Sequence, residues 1–513
     1  MSTGAAGLHE RLCRLVCVPV RDHEGPGADE LLADRQGHPW GGYIFFGGDL
    51  GAVHELIARL REASPEPLLL ASDLERGLGQ QLRGATSFPP PMALGAAGDP
   101  ELCREVGLAT AREASAIGLN AAFAPVLDLA DEPANPIVCT RAFGDDPHVV
   151  RELGAALIRG LQEGGVLTTA KHFPGHGRTR LDSHAELPLV RASAEELRER
   201  DLEPFRGAIQ AGVGLVMSAH VAYPALEAER AGHAAPAGPP LPATLSGRIL
   251  HDLLREELDF RGAVVSDALM MGAVAGAEPA ELAARALEAG IDCLLYPSEP
   301  HRVVAGLARR VSEGRLAEEV AQHAALRIAS ALGRLAPPGH AVEVPSAYAA
   351  ELAARAATRG LVAIGGPVLP VSAGRVLVLL LLDGGIAREQ VVLPRVAAGE
   401  GREFRWALPE EGPVEPPSDL AGFDAVLLAH FSPIRAWKGR AGLSAAARSY
   451  ARAVFESRPD AGLLSFSSPF ILGELPPPRA ALFAFGEAAE CQVAVGEVLA
   501  GRGSPAGHLP VRV

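Results

Sequence analysis

Eight short apolar runs, five to eight residues each, recur along the first three hundred residues of the chain. They are LVCVPV (15–20), GYIFF (42–46), PLLLAS (67–72), AAFAPVLD (121–128), VLTTAKH (166–172), GLVMSAH (214–220), GAVVSD (262–267) and IDCLLY (291–296). Between most of them lie amphipathic stretches such as HELIARLRE and AEELRERDLEPFRGAIQAG. Continuous apolar strands alternating with helices predict a parallel sheet whose two faces are both covered. Eight such units fit an N-terminal (β/α)8 TIM-type barrel over residues 1–335, closing on a long helical run near 300–334. Proline-rich LAPPGHAVEVPS then predicts a linker at 336–350. Beyond it VLVLLLL, DAVLLAHF, GLLSFS and ALFAF alternate with helical segments such as SAAARSYARAVFES. This predicts a smaller α/β sandwich domain over 351–513, so the fold class is α/β throughout.

Length agrees with two domains, because 513 residues exceed what one hydrophobic core holds. A content of 48% hydrophobic and 21% charged residues describes a globular chain. The net charge of −15 speaks against nucleic acid and anionic membrane surfaces as partners, since both require basic patches. Cys13, Cys17, Cys103, Cys139, Cys293 and Cys491 are scattered without a zinc-type spacing, which predicts buried free thiols. Neither a leader sequence nor an apolar run long enough for a bilayer stands out, so the chain reads as cytoplasmic.

A barrel places its chemistry just beyond the C-terminal ends of its strands. Here the third run ends in Asp73-Leu-Glu75, the fourth in Asp128, the fifth in Lys171-His172, the sixth in Ser218-Ala-His220 and the seventh in Ser266-Asp267. The segment TTAKHFPGHGRTRLDSH (168–184) is the densest of these. Pro174, Gly175 and Gly177 exclude a regular helix, so His172 and His176 do not share a helical face. Neither zinc spacing nor a phosphate-binding glycine pattern is present, and no metal or organic cofactor is implied. Metal ligation by the loop through His172, His176, Asp182 and His184 stays an alternative. The preferred reading is a loop presenting a polarised histidine, with Asp182 placed to orient His184.

KHFPGHG followed by DSH resembles the signature of the β-N-acetylhexosaminidase branch of glycoside hydrolase family three. TSFPPPMALGAAGD, GLNAAFAPVLDLADEPANP, TRAFGDDP, VMSAHVAYPAL, PATLS and DFRGAVVSDALMMGA resemble that family's blocks in its order, over roughly residues 10–335. The resemblance implies a catalytic trio of Asp267 as nucleophile, His184 as general acid/base and Asp182 as its support. It further implies sugar contacts from Asp73, Arg141, Lys171 and His172. Two blocks depart from the pattern. In TSFPPPMALG a proline stands where asparagine is common before the methionine. DLERGLGQQLR has Arg76 for a glycine, Gly79 for a hydrophobe and Gln81 for a sugar-contacting arginine, with Arg83 the nearest candidate to supply that charge.

The activity implied is a retaining exo-β-N-acetylglucosaminidase acting on small carbohydrate substrates. For a bacterial-type member these are peptidoglycan turnover fragments such as N-acetylglucosaminyl-1,6-anhydro-N-acetylmuramic acid. A phosphorylase using the same dyad and a decayed sugar-binding protein are the alternatives. Neither the acceptor, the aglycone nor the oligomeric state can be read from the residues.

Overall fold

The computed structural model describes residues 5–21, 27–228, 239–274, 276–335, 343–369, 374–409, 412, 415–434 and 438–513. Residues 231–238 of the proline-rich stretch AGHAAPAGPPLPAT (231–244) and 336–342 of the expected linker lie outside them. The chain divides into two compact units. The first comprises Met1–Thr86, Cys103–Asp128 and Gly154–Ala349, and the second Ser87–Leu102, Leu129–Leu153 and Ala350–Val513.

All eight apolar runs of the first unit become parallel strands: β1 Val16–Arg21, β2 Gly42–Phe46, β3 Leu69–Ser72, β4 Ala121–Ala122, β5 Leu167–Phe173, β6 Leu215–Ser218, β7 Ala263–Val265 and β8 Leu294–Leu295. Each pairs with its sequence neighbour, and β8 returns to β1 through Val16↔Leu294 and Cys17↔Leu295. A bridge between Val265 and Cys293 joins β7 to the start of β8 and closes the barrel. Every residue of β5 is buried, which is why the strands read as continuous apolar runs rather than alternating ones.

The surrounding helices follow local rules. Glu278 caps the amide of Glu281, Pro279 opens the helix Pro279–Ala289, and Gly290 ends it at φ 115°. That helix turns Leu282, Ala283, Ala286 and Leu287 inward. A Cβ on Gly306 would stand 2.3 Å from the Ala280 Cβ, so glycine permits the close approach of the helix Pro300–Ser312. The expected long run near 300–334 is two helices, Pro300–Ser312 and Glu318–Leu332, with Gly314 at φ 69° between them.

In the second unit a six-stranded sheet is ordered β11-β10-β12-β13-β14-β9. Its strands are β9 Val362–Ile364, β10 Val376–Leu382, β11 Arg402–Ala407, β12 Ala425–Phe431, β13 Gly462–Phe466 and β14 Ala480–Phe483. All pair in parallel except β9, which runs antiparallel to β14. Side chains alternate between two cores. Leu377, Leu379, Leu381, Val426 and Leu428 pack with Met92, Ala93, Val138 and Ala142 on one face. On the other face lie Val378, Leu380, Leu427, Ala429 and Phe431. All six cysteines are buried and none forms a disulfide. Among the described residues no helix is long and apolar enough to cross a membrane.

Candidate active site

The strand order of the barrel brings Asp73, Glu75, Asp128, Lys171, His172, His220 and Asp267 to one rim, because each follows or ends a strand of the same parallel sheet. Lys171 is the most enclosed cation there, 2% exposed, with Nζ 2.7 Å from Asp73 Oδ1 and 2.6 Å from Glu75 Oε1. A charge so removed from water requires this pairing, and the two carboxylates fix where the ammonium points.

The next residue is held equally firmly. The amide of Leu127 donates to the carbonyl of Lys171 at 2.6 Å, which sets Asp128 beside β5. His172 then donates Nδ1–H to Asp128 Oδ2 at 2.7 Å, leaving Nε2 as the second ring nitrogen. Asp128 Oδ1 also accepts the amides of His172 (3.2 Å) and His176 (2.6 Å). Burial disfavours the Asp128 carboxylate, but the imidazoles of His172 and His176 and the His176 amide hold it below its ordinary range.

His176 faces into its own loop, between Thr179 Oγ1 at 2.8 Å and Ser183 Oγ at 3.0 Å. Burial lowers its imidazole to about 4, so it is a neutral strut at pH 7. The loop then presents the dyad. Nδ1 of half-buried His184 lies 2.7 Å from Asp182 Oδ1, which also accepts the His184 amide at 2.8 Å. The carbonyls of Ser183 and His184 accept the amides of Ala273 (3.1 Å) and Gly272 (2.9 Å). The histidine loop therefore rests on the segment that follows Asp267.

Asp267 sits just past β7, partly exposed, with the Ala268 amide 2.8 Å from its Oδ1. Burial would raise its carboxyl. The imidazoles of His220, His172 and His184, together with that amide, outweigh burial and bring it down to about 2. His184 and Asp267 are thus within electrostatic reach of each other. His220 itself is enclosed, its Nε2 3.1 Å from the Ala268 carbonyl and its Nδ1 2.7 Å from Thr244 Oγ1. It steadies the turn carrying Asp267, and burial lowers its own imidazole.

Of the residues expected to bind sugar, Asp73, Lys171 and His172 come together at this rim. Arg141 belongs to the second unit, ending the short turn Cys139–Arg141, and donates from Nη1 to the Ile137 carbonyl at 3.1 Å. In the variant third-strand block, Gln80 accepts the Arg76 amide at 2.7 Å, and Arg83 forms a bidentate pair with Asp49 at 2.9 and 3.1 Å. The strand-end pattern marks Asp128 and Glu75 as polar but not what they hold. Thr244 and Gly272 fall inside the PATLS and DFRGAVVSDALMMGA blocks, but what they hold is not local, since their partners lie 24 and 88 positions away. An ionised carboxylate and a carboxylate-supported imidazole, both reachable from one bound molecule, can attack a carbon and protonate the group it releases.

Comparison with known proteins gives the same direction. Residues 10–331 match the model of the glycosyl hydrolase family 3 N terminal domain. A β-hexosaminidase from Nitrosomonas eutropha is 38% identical over 275 residues, covering 51% of this chain and 75% of the relative. A β-hexosaminidase from Chromobacterium violaceum is 35% identical over 360 residues, covering 67% and 96%. Two solved structures resemble nearly the whole chain. One is a glycoside hydrolase family 3 β-N-acetylglucosaminidase from Paenibacillus, with TM-score 0.85, 28% identity and 98% of both chains covered. The other is a β-glucoside phosphorylase bound to 2FGlc, with TM-score 0.90, 25% identity and coverage of 98% and 94%.

Proposed function

The chain belongs to glycosyl hydrolase family 3, and from that premise we propose that it removes terminal β-linked N-acetylglucosamine through a glycosyl-Asp267 intermediate. It is a glycoside hydrolase of the β-hexosaminidase type, in line with relatives that carry that name. The observation that carries the mechanism is the 2.7 Å pairing of His184 with Asp182 on a loop resting against the Asp267 segment.

In the first step an Asp267 oxygen bonds to the anomeric carbon while the bond to the leaving oxygen breaks. That oxygen takes the proton from Nε2 of His184, and the Asp182 carboxylate supports the charge at Nδ1. In the second step water attacks the same carbon, gives its proton to Nε2 and frees Asp267. Two displacements retain the configuration. Asp73, Lys171 and His172 supply fixed charge and hydrogen bonds to the sugar hydroxyls. Peptidoglycan turnover fragments are the substrates this reading favours.

The β-glucoside phosphorylase neighbour motivates a second acceptor. An imidazole repels an incoming phosphate less than the usual glutamate would, so phosphate in place of water would yield the sugar 1-phosphate. The test is release of 4-nitrophenol from its β-N-acetylglucosaminide by wild type, Asp267→Ala and His184→Ala, with and without phosphate. Loss in the first variant and a strong fall in the second, with free sugar as product, supports hydrolysis. A phosphate-dependent rate with sugar 1-phosphate moves the reading to phosphorolysis. No turnover of this or other aryl β-glycosides leaves a binding protein.

A further inference from the structure

Between the helix that follows β1 and the helix that follows β8, a second group of histidines converges on one carboxylate. Asp34 lies in the last turn of the helix Ala28–Gly37, His38 caps that helix, and His301 lies in the first turn of the helix Pro300–Ser312. Asp34 Oδ1 is 3.2 Å from His38 Nδ1 and 2.7 Å from His301 Nε2, and all three ligand-type atoms fall within 4.8 Å of one another. The three side chains are partly exposed, so an ion has access.

We propose that Asp34, His38 and His301 form a binding site for one borderline divalent transition-metal ion, with zinc the best match. Two imidazole nitrogens and one carboxylate oxygen suit such ions, and water completes the set. The spacing agrees with that chemistry. With ligand bonds of about 2.0–2.1 Å, the edges of a tetrahedral zinc site measure roughly 3.3 Å. The Asp34–His38 separation already stands at that edge, and the Asp34–His301 separation needs to open by about half an ångström.

The surroundings are those of a supported ligand set rather than a chance meeting on the surface. The indole of buried Trp40 donates Nε1–H to the other oxygen of Asp34 at 2.7 Å, which orients the carboxylate and leaves Oδ1 to the histidines. The same indole stacks on His38, ring centres 5.3 Å apart and planes within 10°, and meets His301 edge-on at 5.3 Å. Both imidazoles are therefore restrained by one ring. Cys13 is close by, bonded to His9 at 3.5 Å, but it is not one of the convergent ligand atoms, so the set is one of nitrogen and oxygen. A bound ion would tie the helix that follows β1 to the helix that follows β8, across the β1–β8 junction of the barrel.

The test is zinc stoichiometry of the full-length, chelator-treated protein by equilibrium dialysis, comparing wild type with His38→Ala/His301→Ala. His251, Asp252 and Glu256 form a further convergent group, so the difference between proteins, not the total, is read. The double variant is expected to bind one ion fewer per chain, to lose the zinc-dependent rise in Tm and to keep wild-type glycoside turnover. Trp40→Phe keeps the ring but removes the donor to Asp34, and should weaken binding about 10–100-fold. Should the double variant not fold, His301→Gln, a change at an exposed position, gives the same reading. Equal stoichiometry in wild type and variant overturns the site. So does loss of the ion in His184→Ala with its retention in the His301 variant.

Discussion

Oδ1 of Asp182 accepts two hydrogen bonds from the same residue, one from Nδ1–H of His184 at 2.7 Å and one from its backbone amide at 2.8 Å. The two bonds fix both the ring orientation and the tautomer, so the exchangeable proton is carried at Nε2.

Removing this support should matter most when the leaving group needs a proton. Asp182→Asn is expected to lower kcat about tenfold on the 4-nitrophenyl glycoside, whose phenolate leaves readily, and about 10²–10⁴-fold on an alkyl glycoside or disaccharide. Steady-state kinetics on the two leaving-group classes checks this. Equal losses on both would remove His184 from the protonation step.

The Asp267 carboxyl is depressed from 3.8 to about 2, so its ionised form is the one favoured by folding. The resulting stabilisation is complete above pH 3.8 and disappears as pH falls through 2. Denaturant unfolding of Asp267→Asn at pH 6 should therefore show a loss of about 2 kcal/mol, with the difference from wild type narrowing toward pH 3. The acid limb of the wild-type kcat/KM profile should not report this group. A more stable variant at pH 6 would contradict the assignment.

Lys171 neutralises two carboxylates, Glu75 shut away from water and Asp73 partly exposed. Lys171→Met leaves Asp73 and Glu75 facing each other and is expected to cost about 3–5 kcal/mol in urea unfolding. Glu75→Gln keeps the Asp73 pair and should cost clearly less. Similar losses in both would mean that Asp73 alone does not hold the ammonium.

Gly272 lies against the histidine loop. A Cβ there would stand 2.5 Å from the Ala185 carbonyl oxygen and 2.7 Å from that of His184. Gly272→Ala should push the dyad out of line and lower kcat about 10–100-fold, with Tm changed by only a few degrees. Unchanged kcat would show that the loop yields without moving His184.

The barrel is legible in the sequence because its strands are buried on both faces. Seven of the eight runs appear within a few residues of their expected ends, and the fourth, expected over 121–128, is a strand only at Ala121–Ala122. β9 and β11 do not stand out. β9 has three residues, and β11, REFRWA, mixes charged and apolar residues at the sheet edge, where only its last residue is buried. In the candidate site the DSH pair is local, hence readable. Long-range holdings are not, because Asp128 and His172 stand 44 positions apart and Lys171 and Asp73 98. In sequence His220 fits a pocket-lining residue and a residue that satisfies the barrel top equally; two partners brought by other loops occupy its ring nitrogens.

One core of the second unit joins Met92, Ala93, Ala96, Val138 and Ala142 to strands that begin only at Val362. During synthesis these early residues leave the ribosome more than two hundred residues before their apolar partners exist. A nascent chain of 335 residues carries them with no matching surface of its own to cover them, a state that invites chaperone binding or self-association. Completion of this core is thus a late event in synthesis.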